Sequence, residues 1–320
     1  MTTTKTIPTI LQLIENNHRF LIASHEGPDG DAIGSTLALT NLLREAGKDV
    51  VAYNRDGLPK AFSFLPGSSQ LCDEIDGVEP FDVGFILDAG ELRRAGSHLR
   101  DCCTVLINID HHPCSEDFGD VYCLDTAAAA TAVIIYRLIV AGKMPVSLDV
   151  ATCLYVAILS DTGSFRYSNA NAEAFSIAGE LVAKGIDTWD VASALYETQP
   201  KERLQLLAQA LSTLCVSPCG RYASVATTLE MMQLTGSGPE HTDGFVNYPR
   251  AVEGVEVAIY FRQLDNDQFK AGFRSKGRID VGALARELGG GGHHNAAGAT
   301  VTGSLNAVQT KVFARLDELL

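Results

Sequence analysis

The chain has no surplus of basic residues: 25 Lys and Arg stand against 39 Asp and Glu, a net charge of -14 with a pI near 4.9. A protein that coats long nucleic acid neutralises many phosphates with a basic surface, so that mode of action is excluded. Any anionic ligand must instead meet local cations or metal ions. Cysteines at zinc-ligand spacing are also missing. The eight cysteines are scattered, Cys102 beside Cys103 and Cys215 near Cys219, which reads as reduced thiols in a cytoplasmic protein. No uninterrupted apolar run is long enough to cross a bilayer, and "MTTTKTIPTILQLIENN" lacks the segments of a signal peptide, so neither secretion nor a membrane partner is expected. Internal repeats and low-complexity tracts are absent as well.

What is present is a globular composition, 46% hydrophobic over 320 residues, enough for two domains with sizeable cores. The first half alternates short β-rich runs with helical patterns: "RFLIAS" (19–24), "DAIGSTLALTNLLREAG" (31–47), "DVVAYN" (49–54), "DVGFILD" (82–88) and "TVLINID" (104–110). Nearly continuous apolar strands separated by helices predict a mainly parallel sheet covered on both faces, an α/β unit over residues 1–195. "QPKERLQLLAQAL" predicts a solvated linker helix within 196–211. Residues 212–320 turn to strands with fewer helices and form a smaller C-terminal α/β unit closed by an amphipathic helix from about Leu305.

Polar residues follow the apolar runs at once. "FLIAS" delivers His25, then Asp29 and Asp31; "VGFIL" delivers Asp88; "VLINI" delivers Asp110, His111 and His112; "LYVAIL" delivers Ser160 and Asp161. In an open parallel sheet, ligands bind beyond the carboxyl ends of the strands. Taken singly, each of these has a plain structural use: Asp31 before a helical run resembles an N-cap, and Pro28 and Gly30 resemble turn residues. Taken together, the carboxylates would repel one another unless cations sit among them. Two divalent ions balance Asp29, Asp31, Asp88 and Asp161 if His25 and His111 bind as neutral imidazoles. Carboxylate and imidazole ligation without cysteine suits Mn²⁺, with Mg²⁺, Co²⁺ or Fe²⁺ as alternatives. Paired ions about 3.5 to 4 Å apart are common machinery for attack on phosphorus.

"HEGPDGDAIGS" (25–35), "LDAGELRRAG" (87–96), "NIDHHP" (108–113) and "SDTGSFRY" (160–167) together resemble the DHH phosphoesterases, a RecJ-like family named for the triplet Asp110, His111, His112. "FRSKGRIDVGALARELGGGGHHNAAGA" (273–299) resembles their companion DHHA1 domain, and in length and layout the chain is similar to the stand-alone nano-RNase/pAp phosphatase subgroup. The resemblance implies that His25, Asp29 and Asp88 hold one metal. It gives Asp31, Asp88, His111 and Asp161 to the other, with Asp88 bridging. Asp110 would orient a metal-bound histidine, and His112 would contact the scissile phosphate or protonate the leaving oxygen. In the second domain Arg274, Ser275, Gly290, Gly291, Gly292 and His293 would bind substrate, Arg274 as a fork for a terminal phosphate and the glycines through backbone N–H groups. The family pattern selects His293 over His294 and Arg94 over Arg93, and places Arg166 or Tyr167 at the rim of the cleft. Gly90 stands where relatives often carry Ser.

The implied activity is Mn²⁺-dependent hydrolysis of short single-stranded oligoribonucleotides of two to five nucleotides, and of 3'-phosphoadenosine 5'-phosphate (pAp) to AMP. The second domain would grip the nucleotide end and limit substrate length. Rival readings are a soluble phosphodiesterase for cyclic di-AMP, pApA or pGpG, an exopolyphosphatase or pyrophosphatase, and a non-catalytic RNA-binding module. The sequence leaves the oligomeric state open, a homodimer included.

Overall fold

The computed structural model describes residues 3–75 and 79–320; the side chains of residues 3–5 and of His293 lie outside the described set. The chain divides into two compact units, 1–198 and 199–320. In the first, the elements run α1 (Thr3–Asn16), β1 (Arg19–Ser24), α2 (Gly30–Glu45), β2 (Asp49–Tyr53), β3 (Leu71–Cys72), β4 (Phe81–Leu87), α3 (Leu92–Ala95), α4 (Leu99–Cys102), β5 (Cys103–Asp110), β6 (Val121–Leu124), α5 (Thr131–Ala141), α6 (Leu148–Asp161), α7 (Ala172–Val182) and α8 (Thr188–Tyr196). The six strands pair in parallel in the order β3-β2-β1-β4-β5-β6.

The apolar runs are continuous because both faces of this sheet are covered. Phe20, Ile22, Phe85 and Ile107 face a large core built with α1, α2, α5 and α6, while Leu21, Ala23, Ile86 and Leu106 face a smaller one with α3 and α4. Helices α2 and α6 pack unusually closely because α2 presents glycine to its neighbour. A Cβ on Gly34 would stand 2.6 Å from the Cys153 carbonyl and one on Gly30 2.3 Å from the Ser160 hydroxyl. Gly30 is therefore a packing residue in the first turn of a helix, where the sequence suggested a turn.

The second unit comprises α9 (Lys201–Ser212), β7 (Cys215–Val216), β8 (Tyr222–Thr227), α10 (Leu229–Thr235), α11 (Asn247–Arg250), β9 (Val257–Asp265), β10 (Gln268–Ser275), α12 (Val281–Glu287), β11 (Gly291–His293), β12 (Ala296–Thr302) and α13 (Leu305–Leu319). Its sheet has the order β11-β12-β10-β9-β8-β7 and is antiparallel except between β8 and β9. One face is buried under α12 and α13 through Ile259, Phe261, Phe273, Leu284 and Val312. The helix expected as a solvated linker, α9, packs within this unit, with Leu206 and Ala210 buried against Met232 and Phe245. Among the described residues no helix is long and apolar enough to cross a membrane.

Candidate metal centre

In the first sheet the chain turns back on itself between β1 and β4, the point at which open α/β sheets form a crevice. Register places the ends level: Ser24 lies opposite Leu87, and Leu87 opposite Ile109. His25, Asp88 and Asp110 therefore stand in a row at the carboxyl edge. Asp88 leaves β4 with φ 58, in the left-handed region that aspartate tolerates better than most residues, and its N–H is held by the Ile109 carbonyl at 3.0 Å. Backbone held in this region is a form of strain that clusters at functional sites.

Helix α2 begins directly after β1. Asp29 is its N-cap, accepting from the N–H groups of Asp31 and Ala32, which leaves Asp31 in the first turn pointing into the crevice. The cap role considered for Asp31 thus belongs to Asp29. Asp31 is buried and fully engaged, by the Ser35 hydroxyl at 2.9 Å and the N–H groups of Thr131 and Ala132 at 2.6 and 3.1 Å. The glycine contact between α2 and α6 brings Asp161, at the last turn of α6, to the same place. Asn169 fixes it through the Asp161 carbonyl and carboxylate at 3.1 and 3.2 Å and the Ala129 carbonyl at 2.9 Å.

Two imidazoles meet these carboxylates. His25 Nδ1 donates to the Glu26 carbonyl at 2.8 Å, which turns Nε2 toward Asp88 at 3.5 Å and Asp29 at 3.9 Å. His111 Nδ1 donates to the Ala128 carbonyl at 3.2 Å, and its Nε2 faces Asp88, Asp161 and Asp31 at 3.5, 3.6 and 3.9 Å. Ligand atoms of His25, Asp29 and Asp88, of Asp31, His111 and Asp161, and of Asp88, His111 and His112 lie within 4.8 Å of one another. The structure thus assembles all six residues singled out as ligands. The imidazole that Asp110 orients is that of His112, not that of His111 or His25. Asp110 Oδ1 accepts from His112 Nδ1 at 2.8 Å and from the N–H groups of His111 and His112, because the ring of His111 is already held by Ala128.

The electrostatics call for cations. Burial first, then the neighbouring carboxylates of Asp31 and Asp29, drives Asp88 well above the ordinary range and Asp161 up to about 8. Burial likewise raises Asp31, although His111 opposes it. His111 Nε2 is buried with no hydrogen-bond partner. An Nε2 aimed at three carboxylates without a hydrogen bond to any described residue fits a divalent ion, and the donor set fits hard or borderline metals. At His112 burial works against the charged form, yet the Asp110 hydrogen bond and the charges of Asp88, Asp110 and Asp161 lift it to about 9. Arg94 lies with its guanidinium 3.2 Å from His25 Nδ1, whereas Arg93 is exposed and paired with Glu91. Arg166 and Tyr167 are exposed and follow a left-handed turn at Gly163, Ser164 and Phe165.

The N-terminal domain of the DHH family matches residues 19–158 and the DHHA1 domain residues 231–319. A Thermus thermophilus protein named bifunctional oligoribonuclease and PAP phosphatase NrnA is 34% identical over 88% of this chain and 84% of its own. The chain belongs to the DHH family. It is a phosphoesterase of the divalent-metal class, with the DHHA1 domain as its second unit. A Bacillus subtilis protein of the same name is 29% identical over 91% of this chain and 92% of its own. The crystal structure of an exopolyphosphatase-related protein from Bacteroides fragilis superposes with a TM-score of 0.91 at 30% identity, covering 98% of this chain and 95% of that one.

The residues expected to bind substrate in this DHHA1 unit behave unequally. Arg274 lies on β10, half-buried, one donor reaching the Phe273 carbonyl at 3.0 Å. Ser275 is buried, and its hydroxyl accepts from the Gly277 N–H, so it serves the turn. The glycine run is part turn, at Gly289 and Gly290, and part strand. Gly291–His293 forms strand β11, Gly290 gives its N–H to the Ala285 carbonyl, and a Cβ there would stand 2.1 Å from the Gly298 carbonyl. Gly292, at φ 136, would likewise bring a Cβ to 2.5 Å from Ala297. Gly290 and Gly292 are glycine because β12 passes too close for side chains, whereas a Cβ on Gly291 would meet nothing within 4 Å. His294 hydrogen-bonds the Gly277 carbonyl; the side chain of His293 lies outside the described residues. Sequence reasoning missed Ser35, Thr131 and Asn169. Ser35 carried a signal, standing one turn after Asp31; Thr131 and Asn169 carried none.

Proposed function

We infer that this phosphoesterase hydrolyses short 5'-phosphorylated oligoribonucleotides to mononucleotides and pAp to AMP, using Mn²⁺. The observation that carries the reading is two ligand groups meeting at one buried carboxylate, Asp88, in a chain whose relatives bear the name oligoribonuclease and PAP phosphatase. His25, Asp29 and Asp88 would hold one ion, and Asp31, Asp88, His111 and Asp161 the other. Bound there, the ions would supply Lewis-acid stabilisation of the charge that develops on phosphoryl oxygens.

The chain's own groups do the rest. Ser35, Thr131 and Asn169 fix the carboxylates before any ligand arrives, so little reorganisation accompanies the reaction. Asp110, buried and ionised against the His112 ring, sets that imidazole with a proton on Nδ1 and aims Nε2 outward. His112 then donates a proton to the leaving oxygen, and Arg274 grips a terminal phosphate as a two-pronged donor.

A side-by-side panel tests this: purified protein with Mn²⁺, offered a 5'-phosphorylated dinucleotide, a 24-mer RNA, pAp, cyclic di-AMP, inorganic polyphosphate and pyrophosphate. The dinucleotide and pAp should turn over fastest. Faster release of phosphate from polyphosphate or pyrophosphate would overturn the nucleotide assignment, and tight RNA binding without turnover would make the chain a binding module.

A further inference from the structure

Two members of one ion group, His25 and Asp29, stand on the turn 25–29 between β1 and α2, whereas Asp31 and Asp161 of the other group stand within helices. Gly27 bends the turn through the left-handed region at φ 59, a conformation glycine adopts without steric cost. The His25 ring takes its direction from the turn itself, because Nδ1 donates to the carbonyl of the next residue, Glu26, at 2.8 Å. Movement of the backbone at 25–26 therefore moves Nε2. Whatever fixes that backbone also fixes the imidazole.

The hold comes largely from the neighbouring strand. Strand β2 runs parallel to β1 with Tyr53 opposite Ala23, so the residues that follow it pass alongside the turn. Asn54 is fully buried; its Nδ2 donates to the His25 carbonyl at 2.9 Å and the Ser24 hydroxyl at 3.0 Å, and its Oδ1 accepts from the Asp56 N–H at 3.0 Å. Asp56 in turn accepts from the Gly27 N–H at 2.6 Å. Arg55, between them, meets the Glu26 carboxylate at 3.5 Å, with both side chains more than 40% exposed, and a screened pair of that kind contributes little. Glu26 has a separate tie, its N–H donating to the Arg94 carbonyl at 2.7 Å. Only an amide meets the demands at position 54: donors at one end for two oxygens and an acceptor at the other for an N–H. Aspartate has the same shape but would set a carboxylate oxygen against the His25 carbonyl, leaving buried acceptors without a donor.

We propose that Asn54 and Asp56 are positioning residues for the ion group of His25, Asp29 and Asp88: by bracketing the turn at His25 and Gly27 they keep His25 Nε2 at 3.5 Å from Asp88. Their action is confined to that group. Asp31, His111 and Asp161 take their hold from other residues, Ser35, Thr131 and Ala132, the Ala128 carbonyl, and Asn169 respectively. The assignment rests on the metal reading of the preceding subsection and adds to it the residues through which one ion can be weakened without the other.

Metal titration without substrate tests this. Full-length protein stripped with EDTA and desalted is titrated with MnCl₂ by calorimetry, with free Mn²⁺ counted by electron paramagnetic resonance and folding checked by circular dichroism. Wild type is compared with Asn54→Asp, Asp56→Ala and Arg55→Ala. Wild type should bind a pair of ions; Asn54→Asp and Asp56→Ala should weaken one of them by about ten- to a hundredfold, the usual effect of removing a group that orients a ligand, and leave the other within about threefold. Arg55→Ala should change neither by more than about threefold. Combination with ligand variants identifies the ion affected. Added to Asp161→Asn, Asn54→Asp should show its full loss; added to His25→Ala, it should leave the remaining ion bound as before. Equal weakening of both ions, a further loss in the His25→Ala background, or wild-type affinities in the folded variants would overturn the positioning role while leaving the metal reading intact. Should Asn54→Asp fail to fold, Asp56→Ala, a change at an exposed residue, decides alone. A wild type that binds no Mn²⁺ would sink the metal reading and the positioning role with it.

Discussion

At the scale of single residues, the proposed mechanism gives proton delivery to the pair Asp110 and His112 and metal binding to the other six residues. Replacing His112 by Asn should lower kcat for a 5'-phosphorylated dinucleotide by about 10² to 10⁴, the usual worth of a general acid, while Mn²⁺ affinity by calorimetry stays within about threefold. An equal loss of metal would assign His112 to the ligand set instead. Asp110 Oδ2 is buried without a hydrogen-bond partner, and the Ser115 hydroxyl is close enough to help keep the carboxyl ionised but outside hydrogen-bonding geometry. A Cβ at Gly90 would stand 3.9 Å from that oxygen. Gly90→Ser should therefore stabilise the protein by roughly 1 kcal/mol in urea unfolding, through the new donor and the stiffer unfolded chain. A destabilised variant would contradict this placement. The candidate ligands were legible in the sequence because they stand at or soon after the ends of apolar runs, Asp29 and Asp31 four and six residues beyond His25. The groups that hold them were not, since Thr131 and Asn169 look like any polar residue until the fold sets them beside Asp88 and Asp161.

At the scale of elements, the contact of α2 with α6 decides whether Asp31 and Asp161 share an ion. Gly34→Val inserts a branched side chain where even a Cβ would stand 2.6 Å from the Cys153 carbonyl and 2.8 Å from Ala157. Overpacking of this kind costs about 1 to 3 kcal/mol, and it should weaken Mn²⁺ binding as the helices separate. Thermal melts with and without Mn²⁺ check both; a variant with wild-type stability and metal affinity would remove the helix contact from the account. The long strands β1, β2, β4 and β5 were plain in the sequence because burial on both faces makes them continuously apolar. The edge strands β3 and β6 were not, being two and four residues long. Helix α1 hid behind a threonine-rich start with Pro8 inside it. The packing share of the glycine run was not legible in the sequence: only the approach of β12 shows that Gly290 and Gly292 have no room for a side chain.

At the scale of the whole molecule, the acidic centre couples metal to stability. Asp161 is raised to about 8, so its contribution is present below the ordinary carboxylate range near pH 4 and is lost as pH rises through about 8. His112, raised to about 9, contributes below about pH 6.5 and is lost through about 9, in the same direction. Asp110 acts oppositely: its depressed carboxyl contributes above the ordinary range and is lost only in acid. The metal-free protein should therefore melt several degrees lower at pH 9 than at pH 6, and Mn²⁺ should raise the midpoint more at pH 9. Scanning calorimetry in EDTA and in Mn²⁺ checks this; a metal increment that shrinks with pH would contradict it. The unequal division of charge between the two units was already present in the sequence, as was the placing of all six candidate ligands in the first of them. The most direct test of the central claim is manganese anomalous diffraction from crystals of the protein. The account predicts two peaks, one among His25, Asp29 and Asp88 and one among Asp31, Asp88, His111 and Asp161; no peak at Asp88, or manganese bound elsewhere, would contradict it.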